Sequence, residues 1–273
     1  MTPLLELEGV SRRFTRGGLL SRQTVDAVKS VSFRLDEGKP EIFAVIGESG
    51  SGKSTLARMI LGMLRPSAGH LQFQGRDVAS LVAAERPAFM SKVQPIFQNP
   101  FEAFNPLKTL DFYLFMTSRR FGGAATQAEA ERASDTALRQ VGLTLNEIRG
   151  RFPHELSGGQ LQRVAIARAL VSKPRLILAD EPVSMVDAST RMSIVNLFGE
   201  LRDKLGLSII YITHDLATAY YIADRLIIMR KGEVVEEGPA REVLAHPKHP
   251  YSQQLRAAVL TPDAVSLDPQ STT

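Results

Sequence analysis

The sequence contains no cysteine. Disulfides, thiolate metal sites and cysteine nucleophiles are therefore all excluded, in agreement with a reducing compartment. It also has no run approaching the roughly 20 apolar residues needed to cross a bilayer. Its start, Met1-Thr2-Pro3-Leu4-Leu5-Glu6, lacks the basic-then-apolar layout of a secretory signal. A chain made and kept in the cytoplasm is expected. Clustered charge is missing too: the formal excess is only +4, with Lys and Arg spread along the chain. No basic patch for nucleic acid or an anionic membrane surface is indicated. Hydrophobic residues at 44% and charged ones at 23% leave an ordinary globular composition, which argues against disorder, collagen or a fibre. The 273 residues suffice for one large α/β domain, or for a core with a small subdomain.

What is present alternates. Leu5, Leu7 and Val10 are spaced as in a strand, and Val25–Leu35 is rich in Val and Phe. Residues 16–22 between them read as an exposed hairpin loop. Ile42–Ile46 is a short apolar run ended by glycine, as in a strand buried on both faces. Lys53–Leu64 then has helical spacing. The middle third differs, with helices expected at Leu110–Phe115, Gln127–Val141 and Leu145–Ile148 and no convincing strand. Afterwards Leu176–Ala179, Ser208–Thr213, Leu226–Met229 and Glu233–Glu237 read as strands, with Ser189–Leu205 helical. Short helices and turns follow Pro239, and Ala264–Thr273 reads as a frayed tail. This order predicts an α/β fold with a mainly parallel sheet, an N-terminal antiparallel β part and an inserted helical subdomain. The expected divisions are residues 1–97, 98–160, 161–238 and 239–273.

Three segments carry chemistry. Gly47-Glu48-Ser49-Gly50-Ser51-Gly52-Lys53-Ser54-Thr55 fits the P-loop pattern, between a strand and a helix. Its glycines let successive backbone N–H groups face an anion at a helix start. Lys53 can reach the β- and γ-phosphates of a nucleotide, and the Ser54 hydroxyl is placed to coordinate Mg²⁺. Average residue frequencies give roughly a one in a hundred chance of this match in such a chain, before its flanks are counted. Leu176–Glu181 is an apolar strand ending in two acids, delivered where open α/β sheets bind ligands. Asp180 suits the Mg²⁺ water shell, and Glu181 suits polarising an attacking water. An acidic turn capping a core strand is the other reading. Leu156-Ser157-Gly158-Gly159-Gln160 opens a helix with Ser157 as N-cap, a second anion-accepting helix start.

Together these segments resemble the ATP-binding-cassette (ABC) ATPases, over nearly the whole chain. The resemblance implies Mg-ATP as ligand and ATP hydrolysis as activity. It identifies Gln98 with the glutamine that contacts Mg²⁺ and links nucleotide to the helical subdomain. It identifies His214 with the switch histidine that senses the γ-phosphate, and Asp187 with the aspartate of the dimer seam. Ser184-Met185-Val186-Asp187 departs from the family's usual Ser-Ala-Leu-Asp at its two middle positions. Phe14 is the adenine-stacking aromatic by the same resemblance, with a core phenylalanine as the other reading. In this family the P-loop of one subunit and the Ser157–Gln160 equivalent of another enclose each ATP, so a second ATPase subunit is implied.

Phe97-Gln98-Asn99-Pro100-Phe101, Phe104-Asn105-Pro106, His154-Glu155-Leu156-Ser157, Tyr221–Arg225 and His249-Pro250-Tyr251-Ser252 resemble the oligopeptide and dipeptide importer branch. That branch implies two integral membrane permease subunits, an extracytoplasmic solute-binding protein, and a peripheral place on the cytoplasmic face of the inner membrane. Its cargoes include peptides, oligosaccharides and nickel. Many members end in a cysteine-bearing segment that can hold an iron–sulfur cluster, for which this sequence has no ligands. The apolar stretch Phe101–Met116 is expected to divide between core packing and a groove for a helix of a membrane partner. A soluble ABC ATPase acting on DNA or ribosomes, or an exporter subunit, is the alternative. The first usually brings long coiled coils or tandem cassettes, and the importer-like segments weigh against the second.

Overall fold

The structure is a computed structural model describing residues 2–16 and 23–260. The interior of the expected hairpin loop and the expected frayed tail lie outside these residues. The chain opens with β1 (Pro3–Arg16), β2 (Gln23–Asp36) and β3 (Ile42–Ile46), followed by α1 (Lys53–Ile60). Next come β4 (Ala68–Phe73), β5 (Arg76–Asp77), α2 (Arg86–Lys92) and β6 (Val93–Ile96). The middle third is α3 (Leu110–Phe121), α4 (Gln127–Gln140), α5 (Leu145–Ile148) and α6 (Gly158–Leu170). Then follow β7 (Leu176–Asp180), α7 (Ala188–Leu205), β8 (Ser208–Thr213) and α8 (Leu216–Ile222). The last elements are β9 (Arg225–Arg230), β10 (Glu233–Pro239), α9 (Ala240–Ala245) and α10 (Pro250–Leu260).

Two sheets form. An antiparallel sheet has the order β2-β1-β4-β5; a six-stranded sheet has the order β10-β9-β3-β8-β7-β6. In the larger sheet β9, β3, β8, β7 and β6 run parallel, and only β10 is antiparallel to its neighbour. The inner strands read as continuous apolar runs because both of their faces are covered. Their side chains alternate between two cores. Ile42, Ala44, Ile46, Ile177, Ala179, Ile209 and Tyr211 face the helical side. Phe43, Val45, Leu176, Leu178, Ile210 and Ile212 face α1 and the antiparallel sheet. The helical segment has no separate core, because Phe104, Leu110, Leu114, Leu138 and Val141 join the first group.

Three local outcomes differ from the sequence reading. Helix α1 stops at Ile60, not Leu64, because Gly62 takes a left-handed φ of 67°. Its N–H bonds Met59 O, and the Met63 N–H bonds Arg58 O, which is a Schellman termination. Helix α3 continues past Phe115 to Phe121. Between α1 and Gln98 lie β4, β5, α2 and β6, none of which was expected. Strand β6 carries Pro95, which is tolerated because β6 is the outermost strand of its sheet. Among the described residues no helix is long and apolar enough to cross a membrane.

Candidate active site

The parallel strands deliver their C-terminal ends to one cleft of about 700 Å³. Its walls are Gly47–Gly50 and Gly52–Thr55 of the P-loop, with Gln98, Asp180, Glu181 and His214 from three other strand ends. Residues spread over 168 positions of sequence thus meet at the edge where α/β sheets bind ligands. Of the expected P-loop residues only Ser51 does not line the cleft, its side chain buried and its carbonyl accepting from Gly232 N–H at 2.9 Å. Gly52 is left-handed, φ 109°, and a Cβ there would lie 2.3 Å from Ala27 O. That close approach lets β2 back the loop. Lys53 is buried and donates to Gly47 O at 2.6 Å and Glu48 O at 2.8 Å. Its ammonium therefore lies across the loop's own mouth. Burial pulls the Lys53 pKa down, against the opposing pull of Glu181, Asp180 and Glu48.

The acids at the end of β7 both line this cleft, although neighbours on a strand point to opposite faces. Glu181 breaks the alternation by taking a left-handed φ of 46°, a costly conformation for a residue with a Cβ. Its N–H is held by Ile212 O at 2.9 Å. Its Oε1 lies 2.8 Å from His214 Nδ1, so with a carboxylate as acceptor Nδ1 carries the proton and Nε2 is free. The Asp180 carboxyl is pushed up, first by burial and then by Glu181, while Lys53 and Arg58 oppose the shift.

The other expected residues lie outside the cleft. Ser157 caps α6, its Oγ accepting from Gln160 N–H at 3.2 Å. Gln160 Oε1 returns the contact by accepting from Ser157 N–H at 3.2 Å. A Cβ on Gly158 would sit 3.3 Å from Met185 O, and one on Gly159 only 2.5 Å from Thr190 Cγ2. The adjacent glycines thus let α6 approach α7 and the turn before it. Asp187 caps α7 through Thr190 N–H at 2.9 Å, and hydrogen bonds from Ser189 and Thr190 hold its carboxyl low. Val186 is buried and Met185 is 59% exposed, so only Met185 changes the accessible surface. Phe14 is no core residue: it is 38% exposed, with the Arg12 guanidinium 4.8 Å from its ring centre. It does not line the cleft.

Sequence reasoning missed three contributors to this site. Ala27 and Leu255 line the cleft, and the Tyr251 hydroxyl accepts from Glu48 N–H at 3.0 Å. The His249–Ser252 motif carries the signal for the last.

With the geometry described, the family model for ABC transporters matches residues 28–184. The chain belongs to the ABC transporter family. It is 40% identical over 263 residues to a Brucella ovis protein named as a peptide import ATP-binding protein, covering 96% of this chain and 80% of that one. It is 42% identical over 241 residues to the oligopeptide transport ATP-binding protein OppF of Escherichia coli, covering 88% and 71%. Among solved structures it resembles the dimeric post-hydrolysis state of the ATP-binding cassette MJ0796 bound to ADP and phosphate. That match has a TM-score of 0.74 and 29% identity, covering 87% of this chain and 99% of that one.

Proposed function

We propose that this ABC ATPase is the energy-coupling subunit of an importer of the oligopeptide type, peripheral on the cytoplasmic face of the membrane. The observation that carries the reading is the single cleft holding Lys53, Ser54, Gln98, Asp180 and the Glu181–His214 pair. The names of the Brucella and OppF relatives support the import branch. The P-loop amides and Lys53 would hold the phosphates, for which Lys53 must release Gly47 O and Glu48 O. Phe14 offers an exposed ring to adenine. Ser54, Gln98 and Asp180 form an all-oxygen donor set that fits Mg²⁺, and a divalent cation there would favour the ionised form of Asp180, which burial and Glu181 push up against Lys53 and Arg58. When bound there, Mg²⁺ supplies charge neutralisation on the phosphate oxygens.

Glu181 is the group suited to accept the proton of the attacking water, with His214 orienting its carboxylate. Ser157, Gly158, Gly159 and Gln160 lie away from this cleft, and so suit the ATP of a second subunit; the dimeric form of MJ0796 supports that pairing. Asp187 and the exposed Met185 would lie along the seam. The divisions 1–97, 98–160, 161–238 and 239–273 then correspond to P-loop core, helical arm, remaining core and C-terminal segment. Beyond Gln98, Phe101, Leu107, Phe112 and Met116 are exposed while Phe104, Leu110 and Leu114 are buried. The exposed group fits a short helix of either permease subunit, to which a solute-binding protein would deliver cargo from outside.

The test is sedimentation of Glu181→Gln with and without ATP, alongside co-purification of the wild-type chain from detergent extracts. An ATP-dependent dimer and integral membrane partners are expected. A chain that stays monomeric with ATP and extracts without membrane partners would overturn the importer reading.

A further inference from the structure

Helix α10 is attached to the P-loop by a set of contacts outside the reacting groups. Pro250 starts the helix at a position where no N–H is needed, and the Tyr251 N–H is taken by His249 Nδ1 at 3.1 Å. Glu236 on β10 accepts from Lys248 N–H at 2.8 Å and His249 N–H at 3.2 Å, which docks the turn before α10 onto the β9–β10 hairpin. Tyr251 is only 2% exposed, and the Arg230 guanidinium lies 4.8 Å from its ring centre. Its hydroxyl meets the Glu48 N–H at 3.0 Å. The same hairpin also holds the loop directly, through Gly232 N–H to Ser51 O at 2.9 Å. One turn further along α10, Leu255 forms part of the cleft wall.

We propose that Tyr251 is a positioning residue of the ATP site, fixing the entry of the P-loop through Glu48 and thereby coupling the docking of α10 to nucleotide binding. The inference rests on the nucleotide-site reading of the cleft. A loop whose amides must converge on phosphate binds more tightly when it is already ordered, since that ordering is not then charged against binding. Holding Glu48 N–H at the loop's first bend supplies part of the order. Because coupling is reciprocal, ATP must in turn favour the docked α10. Among the described residues Tyr251 has hydrogen bonds with Glu48 and His249 and a ring contact with Arg230, not with Glu181, His214 or Asp180, so its effect falls on affinity and not on the chemical step.

The experiment compares the full wild-type chain with Tyr251→Phe, which keeps the ring and its Arg230 contact and removes one hydroxyl. Tyr221→Phe is the control, since that hydroxyl donates to Asn196 at 2.8 Å and lies outside the cleft. Loss of one net hydrogen bond corresponds to about two- to tenfold in an equilibrium constant. Tyr251→Phe should weaken Mg-ATP binding measurably and by no more than that factor, because the nucleotide-free chain already makes the bond, with turnover at saturating ATP within about twofold. Hydrogen exchange should show α10 protected by ATP in the wild type and less so in Tyr251→Phe. An unchanged Kd, or a Kd shift matched by Tyr221→Phe, would overturn the assignment while leaving the ATP site intact. A wild-type chain that binds no ATP would overturn both.

Discussion

Gly159→Ala tests why the helix start at Ser157 needs two glycines. A Cβ at Gly159 would stand 2.5 Å from Thr190 Cγ2, well inside contact distance, and 3.4 Å from Thr190 Cβ. Threonine is β-branched and stiff at χ1, so the methyl yields only if α6 and α7 separate or Thr190 leaves its rotamer. Overpacking of this kind costs about 1–3 kcal/mol. Alanine recovers part of that, because it is favoured over glycine in a helix by up to about 1 kcal/mol. A net loss of up to about 2 kcal/mol is expected, read from urea unfolding of the nucleotide-free chain. Thr190→Ser removes the offending methyl and keeps the hydroxyl. In that background Gly159→Ala should be neutral or stabilising, so the double-mutant cycle should return a coupling of at least about 1 kcal/mol. Equal losses in both backgrounds would refute the steric explanation.

Lys53→Ala should abolish tight ATP binding in equilibrium titration, and retained micromolar affinity would contradict the phosphate cradle. Glu181→Gln should keep ATP binding and lower phosphate release by about 10²-fold or more, the range for loss of a general base; unchanged release would remove Glu181 from that role. Asp180→Asn should melt higher than wild type without nucleotide at pH 7, because burial and Glu181 disfavour the charged aspartate. A folded-state pKa raised above the unfolded one means the ionised form costs stability at high pH. The gap between variant and wild type should therefore narrow as pH falls through the raised pKa, and close below the ordinary carboxylate range. A gap that widens on acidification would contradict this sign.

Strands and helices were legible wherever one physical pattern dominated. Ile42–Ile46 and Ser208–Thr213 appear with the expected bounds because burial on both faces makes each an uninterrupted apolar run. Strands β4 and β6 were illegible for the converse reason. Of β4 only Leu71 and Phe73 are fully buried, and β6 pairs on one side only and contains a proline. Length gave α1 away less well than its turn did: periodicity continues through Met63, but Gly62 terminates the helix. The apolar segment after Gln98 divides by helix face into buried Leu110 and Leu114 and exposed Phe112 and Met116. A division of that kind follows from period 3.6 once the packed face is known.

The cleft itself was legible as a set of residue types, and its geometry was not. A P-loop glycine pattern names an anion site because backbone sterics act locally, whereas the placement of two neighbouring acids depends on one torsion. Had β7 continued through Glu181, alternation would have sent its side chain to the face opposite Asp180. The left-handed φ of 46° at Glu181, held by Ile212 O, lets both acids line one cleft and sets Glu181 2.8 Å from His214. Backbone strain at a residue proposed for catalysis is sustained only by surrounding structure, here the buried β7–β8 pairing on which Ile212 lies. Parallel pairing of β7 with β8 is therefore a condition of the proposed chemistry as well as of the fold. Ile212 also pairs with Val45 of β3, the strand that leads into the P-loop, so a substitution that loosened it would be expected to lower turnover and ATP affinity together.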